Sequence, residues 1–294
     1  VGREIRRWLI LALGLLGCLS VPLLAAAASP VWAIHGPHNT VYLAGSVHLL
    51  KADDSALPAA FNRAYTSSKG LVMELDVGNV SPLETTTWML EHGTLPPGTT
   101  LRQRLGESRY RRLTSEAGEL GLPTELLEPF QPWVVGMELL ELQYQKLGFQ
   151  SDAGVEMQLD QRAQADGKPV TGLETVAEQL GVLGALSDED QVHFLDMIVD
   201  EMGEVDGDTQ EVIVAWRNGD AARLGALLSE EYKSFPALYR TLVSERNRHW
   251  MPQLEKLLQS QQDYFVVVGA LHLVGDGGLL QLMRRDGYEP QQLD

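Results

Sequence analysis

Two stretches of the chain echo each other without a gap. Val41-Tyr42-Leu43-Ala44-Gly45-Ser46-Val47-His48-Leu49-Leu50 aligns with Phe265-Val266-Val267-Val268-Gly269-Ala270-Leu271-His272-Leu273-Val274. Four apolar residues of this kind predict a buried strand. The glycine that follows lets backbone approach where a Cβ would obstruct it. Side chains just past the C-terminal ends of parallel strands face the crevice where ligands bind, so His48 and His272 have matched placements from which two imidazoles could converge. Glu74 joins them. In Val72-Met73-Glu74-Leu75 a carboxylate flanked by apolar strand residues is costly to bury without a cation, unless it sits at the solvent end of its strand. Two His and one Glu make a three-ligand set for a divalent ion, with positions left for water and substrate. Zinc, manganese, cobalt and iron all suit such ligands.

The elements that must position these residues are readable from periodicity. Val31–Ile34 and Thr40–Ala44 flank Gly36-Pro37-His38-Asn39 and predict a hairpin. A helix from Pro58 to about Ser68 ends before Gly70, and strands follow at 71–75 and, near the C-terminus, at 264–268. Apolar residues three and four apart predict helices over 82–91, 107–120, 133–147, 155–165 and 175–186. A further short strand is expected at Val170-Thr171-Gly172, and Ser187 with Asp190 forms a variant N-cap box opening the next helix. Helical patterns continue to Gln261, a helix spans Gly278–Arg285, and Gly287 precedes a last extended piece. The expected fold is α/β (mixed α+β), with a central sheet from the N- and C-terminal segments and a large helical insertion at about 81–261. No long Ser/Gly linker divides residues 29–294, which read as a single domain.

Further segments fall in a characteristic order. They are Gly45-Ser46-Val47-His48, the strand Glu74, Gly167-Lys168-Pro169-Val170-Thr171-Gly172-Leu173-Glu174-Thr175 with Gln179, Glu245-Arg246-Asn247, and the tail from Gly269 to Leu279. In these the chain resembles the TraB/GumN (TraB/PrgY/GumN) family, related to the TIKI metalloproteases, over nearly all of its length after residue 28. Gly154-Val155-Glu156 departs from the pattern, with Glu where Asp is expected. The resemblance implies a mixed α/β fold and, for the TIKI branch, peptide cleavage dependent on Mn²⁺ or Co²⁺; the PrgY branch is linked to blocking a peptide pheromone. On this reading His48, Glu74 and His272 are the metal ligands, and Glu174 or Glu245 is the general base. Arg246 stabilises an oxyanion or braces Glu74 and Glu174, and Asn247 meets substrate. Glu174 could equally be the first-turn acid of the helix starting near Thr175. The alternative is a non-catalytic protein that captures a peptide or haem, and a role in polysaccharide export is suggested by the GumN name alone. His35 and His38 flank a turn and are expected on the surface; Trp133, Met137, Trp216 and Trp250 fall at core spacing.

Composition narrows the partners. Of 294 residues, 40 are acidic and 23 basic, a formal charge of −17; such a surface repels phosphate backbones and argues against nucleic acid. The single cysteine, Cys18, leaves no intramolecular disulfide and no cysteine-built zinc site. Arg3, Arg6 and Arg7, the uncharged run Trp8–Leu24 and Ala25–Ala28 form the three parts of a secretory signal over residues 1–28. The expected location is periplasmic or secreted. Membrane attachment would come only through an uncleaved N-terminus or lipidation at Cys18, in a loose lipobox at Leu15-Leu16-Gly17-Cys18. A peptide or small protein is the expected substrate.

Overall fold

The computed structural model describes residues 28–203 and 205–294; the basic start, the apolar run to Leu24 and Cys18 lie outside the described residues. The strands are β1 (Val31–His35), β2 (Thr40–Ser46), β3 (Leu50–Lys51), β4 (Gly70–Met73), β5 (Phe149–Gln150), β6 (Val170–Gly172), β7 (Tyr264–Gly269) and β8 (Gln291–Gln292). Six of them form one mixed sheet in the order β6-β4-β7-β2-β1-β8, and β3 pairs with β5 apart from it. The four strands β6, β4, β7 and β2 run parallel, while β1 is antiparallel to both β2 and β8. A strand inside a parallel sheet is covered on both faces and needs apolar residues at every position. Phe265 to Val268 of central β7 accordingly have no exposed surface.

The expected hairpin forms with Val31 opposite Ala44, and the three strands preceding His48, Glu74 and His272 are neighbours in one sheet. The fold is the mixed α/β arrangement read from the pattern, with β6 added to the sheet from within the helical stretch. The helices at 82–92, 101–119, 132–146, 155–166, 176–184 and 188–201 match the periodicity to within a few residues at most ends. The exception is 101–119, which begins six residues before the expected start at 107. The capping box of Thr100 and Gln103 starts it, and Gly106 at φ +74° joins this first stretch to the segment expected from residue 107.

Two hydrophobic cores result. One lies around the sheet and includes Phe61, Trp216, Trp250 and β7. The other joins helices of the insertion through Leu101, Trp133, Leu139, Leu195 and Ile198. Leu238 belongs to the helical core and Val243 to the sheet core. Between them a π-type turn at Arg240–Ser244 leads into the helix Glu245–Leu258. Such turns recur where a helix must redirect side chains at a functional site. Among the described residues no helix is long and apolar enough to cross a membrane.

Candidate functional site

The site is built where the parallel strands end. Glu74 follows β4 directly, Glu174 lies two residues past β6, His48 two residues past β2, and His272 on the short helix Ala270–Leu273 that follows β7. The echoed segments are staggered by one step in the sheet, with Ser46, not Gly45, opposite Gly269. Gly269 is therefore the meeting point. A Cβ there would lie 3.3 Å from Glu74 Oε1, 3.4 Å from His48 Nε2 and 3.6 Å from His272 Cδ2. Gly45 has a different duty: a Cβ on it would press on Ala270 and Leu273 at 3.0–3.1 Å, so its absence lets the helix bearing His272 pack against β2.

Each imidazole is oriented through its Nδ1. Asn247 is fully buried; its Nδ2 donates to the carbonyls of His272 (3.0 Å) and Gly277 (2.9 Å). Its Oδ1 is thereby left to accept from His272 Nδ1 at 2.7 Å, which places the lone pair of neutral His272 on Nε2. His48 Nδ1 lies 2.8 Å from Glu156 Oε1, and Ser46 Oγ donates to the same oxygen. The helix carrying Glu156 is pressed against the His48 loop. Val155 N donates to the Val47 carbonyl at 3.1 Å, and a Cβ at Gly154 would run into the His48 carbonyl.

Arg246 holds the centre together. Its Nη2 donates to Glu74 Oε2 at 2.6 Å and to Glu174 Oε1, and its Nε to Glu174 Oε2 at 3.2 Å. Nη1 donates to the Leu242 carbonyl at 3.2 Å and faces His272 Nε2 at 3.1 Å. All five guanidinium N–H groups are thus engaged. Glu74 Oε1 accepts from Gly269 N at 2.7 Å, and Gln179 Nε2 lies 3.3 Å from Oε2. Trp250 Nε1 donates to Glu174 Oε2 at 3.2 Å, its ring 4.6 Å from that of His272.

Burial alone would push the Glu74 carboxyl up, but His272, Arg246 and His48 together hold it at about 2. Of these Arg246 is the permanent charge. Burial pushes His272 down to about 4, with Arg246 adding to the effect and Glu74 opposing it, so this ring is neutral at pH 7. Glu156 raises His48 to about 9; water screens part of that attraction, because 63% of the His48 side chain is exposed.

The TraB/PrgY/gumN family model matches residues 30–292. The chain belongs to this family. It is 28% identical over 243 residues to the uncharacterized protein YbaP of Escherichia coli (strain K12), covering 83% of this chain and 87% of that protein. An uncharacterized protein of Treponema pallidum (strain Nichols) is 23% identical over 275 residues, covering 86% of this chain and 80% of its own. No solved structure matches the chain.

In this family member the structure brings His48, Glu74, Glu174, Arg246, Asn247 and His272 together, but not all in the expected parts. Asn247 spends its amide on His272 and Gly277 and so positions a ligand candidate instead of meeting substrate. Glu174 is committed to Arg246 and Trp250. Glu245 turns away from the cluster; it is exposed and lies 3.6 Å from Arg240, because successive positions on a helix face different directions. His35 and His38 are on the surface. Glu156 and Trp250 carry more than the sequence suggested. The signal for Glu156 was its place in Gly154-Val155-Glu156, where the family resemblance leads one to expect Asp.

The groups gathered at this point are His48, Glu74 and His272; His48, raised to about 9, has to lose its proton before its Nε2 can serve as a ligand. They suit a divalent cation in type, one carboxylate and two imidazoles with their other nitrogens fixed. Glu74 Oε1 and His272 Nε2 are 3.9 Å apart, against ~3.4 Å for two ~2.1 Å bonds at a tetrahedral angle. Among the described residues no group of three or more His, Cys, Asp or Glu side chains is placed to hold a metal ion as it stands. The guanidinium of Arg246 is the permanent cation of the cluster, and a metal would have to take the His272 lone pair from its Nη1.

Proposed function

We propose that the chain is an exported, metal-dependent hydrolase acting on peptides. The observation that carries this reading is the convergence of Glu74 Oε1, His48 Nε2 and His272 on the one position where Gly269 lacks a side chain. Three strands contribute to this point, and each imidazole has a partner fixing its direction. His48, Glu74 and His272 would hold the ion, with manganese or cobalt favoured by the family resemblance and zinc or iron compatible with the ligand types. A divalent ion there would supply Lewis acidity and ease the deprotonation of water.

The remaining steps belong to the chain's own groups. Glu156 and Asn247 hold the two imidazoles in register. Glu174 and Trp250 hold Arg246. When His272 Nε2 gives its lone pair to another partner, the Nη1–H of Arg246 that faces it loses its acceptor. It is then aimed into the same space, where it can donate to negative charge growing on a substrate carbonyl oxygen.

The test is metal analysis of protein purified without chelator, with titration by Mn²⁺, Co²⁺ and Zn²⁺ and a cleavage screen against mixed peptides. One equivalent of metal, lost in His48→Ala and His272→Ala and kept in His35→Ala, is expected. Full metal content in either site variant would overturn the reading. Peptide binding without metal or cleavage would replace it with a peptide-capturing protein. The haem form of that alternative is disfavoured because His272 is buried beside the Trp250 ring.

A further inference from the structure

One side chain touches two of the three proposed ligands. Arg246 Nη2 donates to Glu74 Oε2 at 2.6 Å, and Nη1 stands 3.1 Å from His272 Nε2. Neutral His272 has a single lone pair on that nitrogen, so a donor in front of it fills the position that a metal would need. The other contacts of the guanidinium involve no proposed ligand. Nε and Nη2 hold the two oxygens of Glu174, and Nη1 also donates to the Leu242 carbonyl at 3.2 Å. The Trp250 ring centroid lies 4.8 Å from Cζ. Arg246 is thus fixed from behind, with 14% of its side chain exposed.

The charges of the cluster set two opposing demands. Glu74, Glu156 and Glu174 gather around a single guanidinium. With both imidazoles neutral, three carboxylates against one guanidinium leave the cluster short of two positive charges, the amount that one divalent ion carries. Such an ion would nonetheless share the cluster with a permanent cation that Glu174 and Leu242 keep in place. Like charges a few ångströms apart in a poorly solvated centre repel strongly. The ion would also have to free the His272 lone pair, leaving Nη1 with the Leu242 carbonyl alone. Glu74 and His272 meet different prongs of the same fork, and Glu74 Oε1 stays 3.9 Å from His272 Nε2. This accounts for three residues of ligand type standing together and yet outside coordination geometry.

We propose that Arg246 is a resident counter-ion that competes with the metal for Glu74 and His272 and so regulates how the site loads. In the metal-free chain it compensates the buried carboxylates; on loading it gives up His272 and keeps Glu174. The inference rests on the metal-dependent hydrolase reading and adds its control. Occupancy follows the free concentration of the divalent ion, because every loading event works against Arg246.

Zn²⁺ binding by the parent chain, Arg246→Met and Arg246→Lys is measured in competition with a chromophoric chelator. Arg246→Met should bind Zn²⁺ more tightly than the parent by about tenfold or more, even as it loses any peptide cleavage. The gain should vanish in Arg246→Met/His272→Ala. Arg246→Lys keeps the charge but offers a point donor in place of the fork. It should also bind more tightly, by a smaller factor, and it carries the test if Arg246→Met fails to fold. On the unmutated chain labelled with ¹⁵N-arginine, stoichiometric Zn²⁺ should shift the Arg246 Nη1 signal, while that of Nε, held by Glu174, moves little. Binding no tighter than the parent in either variant overturns the competition. So does a gain that persists without His272, or an Nη1 signal unmoved by bound Zn²⁺. A parent that loads and cleaves while the variants bind no more tightly sinks the competition alone. Variants that bind Zn²⁺ through His272 where the parent takes up no metal and cleaves nothing would sustain the competition and sink the hydrolase reading.

Discussion

Arg246→Met keeps the length of the side chain and removes its charge, leaving Glu74 and Glu174 buried without their cation. The interval between about 2, where Glu74 is held, and its ordinary 4.5 corresponds to roughly 3 kcal/mol at neutral pH. Arg246 supplies the part of it that does not depend on a histidine being protonated. Glu174 loses a two-pronged ion pair as well. Breaking a buried pair by deleting one partner typically costs ~3–5 kcal/mol, and that is the loss expected in urea unfolding at pH 7 with chelator present. The sign of the pH dependence is fixed by the same argument. Without Arg246 one of the charges that oppose the burial of Glu74 is gone, so its carboxyl rises from about 2. The lost stabilisation is then complete above pH 4.5 and shrinks as pH falls towards 2. The double variant Arg246→Met/Glu174→Gln should recover part of the loss, since one stranded charge is gone. A single-variant loss below ~1 kcal/mol, or no recovery in the double variant, would refute Arg246 as the keystone of the cluster.

Three other outcomes follow from the geometry. Gly269→Ala adds a methyl within 3.3–3.6 Å of all three proposed ligands at an ordinary φ of −50°. Thermal unfolding should move little, while calorimetry shows metal affinity reduced by an order of magnitude or more; unchanged affinity would mean that the cluster does not close over this point. Glu156→Gln removes the charged partner of His48 Nδ1, and loss of such a support typically weakens metal binding ~10–100-fold, measurable by chelator competition; an affinity within twofold of the parent would show that Glu156 does not orient the ligand. In metal-free protein, His272 is depressed to about 4 from 6.5, so the unfolded chain binds its proton first. Stability should fall as pH drops from 6.5 to 4, by roughly 3 kcal/mol in all. His272→Gln should flatten this limb of the denaturation curve, and an unaltered slope would contradict the buried neutral imidazole.

The inner strands of the main sheet were legible, unlike the two-residue pair β3 and β5, because burial on both faces of a parallel sheet demands uninterrupted apolar runs, as in Phe265–Val268, and such runs are a local property of the chain. The two Gly-x-x-His segments and Glu74 were legible for the same reason: each chemical residue closely follows a recognisable strand. The sequence alone therefore determined that two histidines and a glutamate stand at equivalent strand ends. What surrounds them was decided by the tertiary structure. Arg246 meets Glu174 across 72 residues and Glu74 across 172, and nothing in local spacing says which face of the helix Glu245–Leu258 will turn to the sheet. That rotation turns Glu245 outward, spends Asn247 on His272 and brings Trp250, which reads as plain core, onto the Glu174 carboxylate. Glu156 reaches His48 only because Gly154 lets one backbone pass against another. Residue types and their order along strands are written locally; the partners that set charge, tautomer and direction are chosen by how the helices dock, which depends on the whole packed chain.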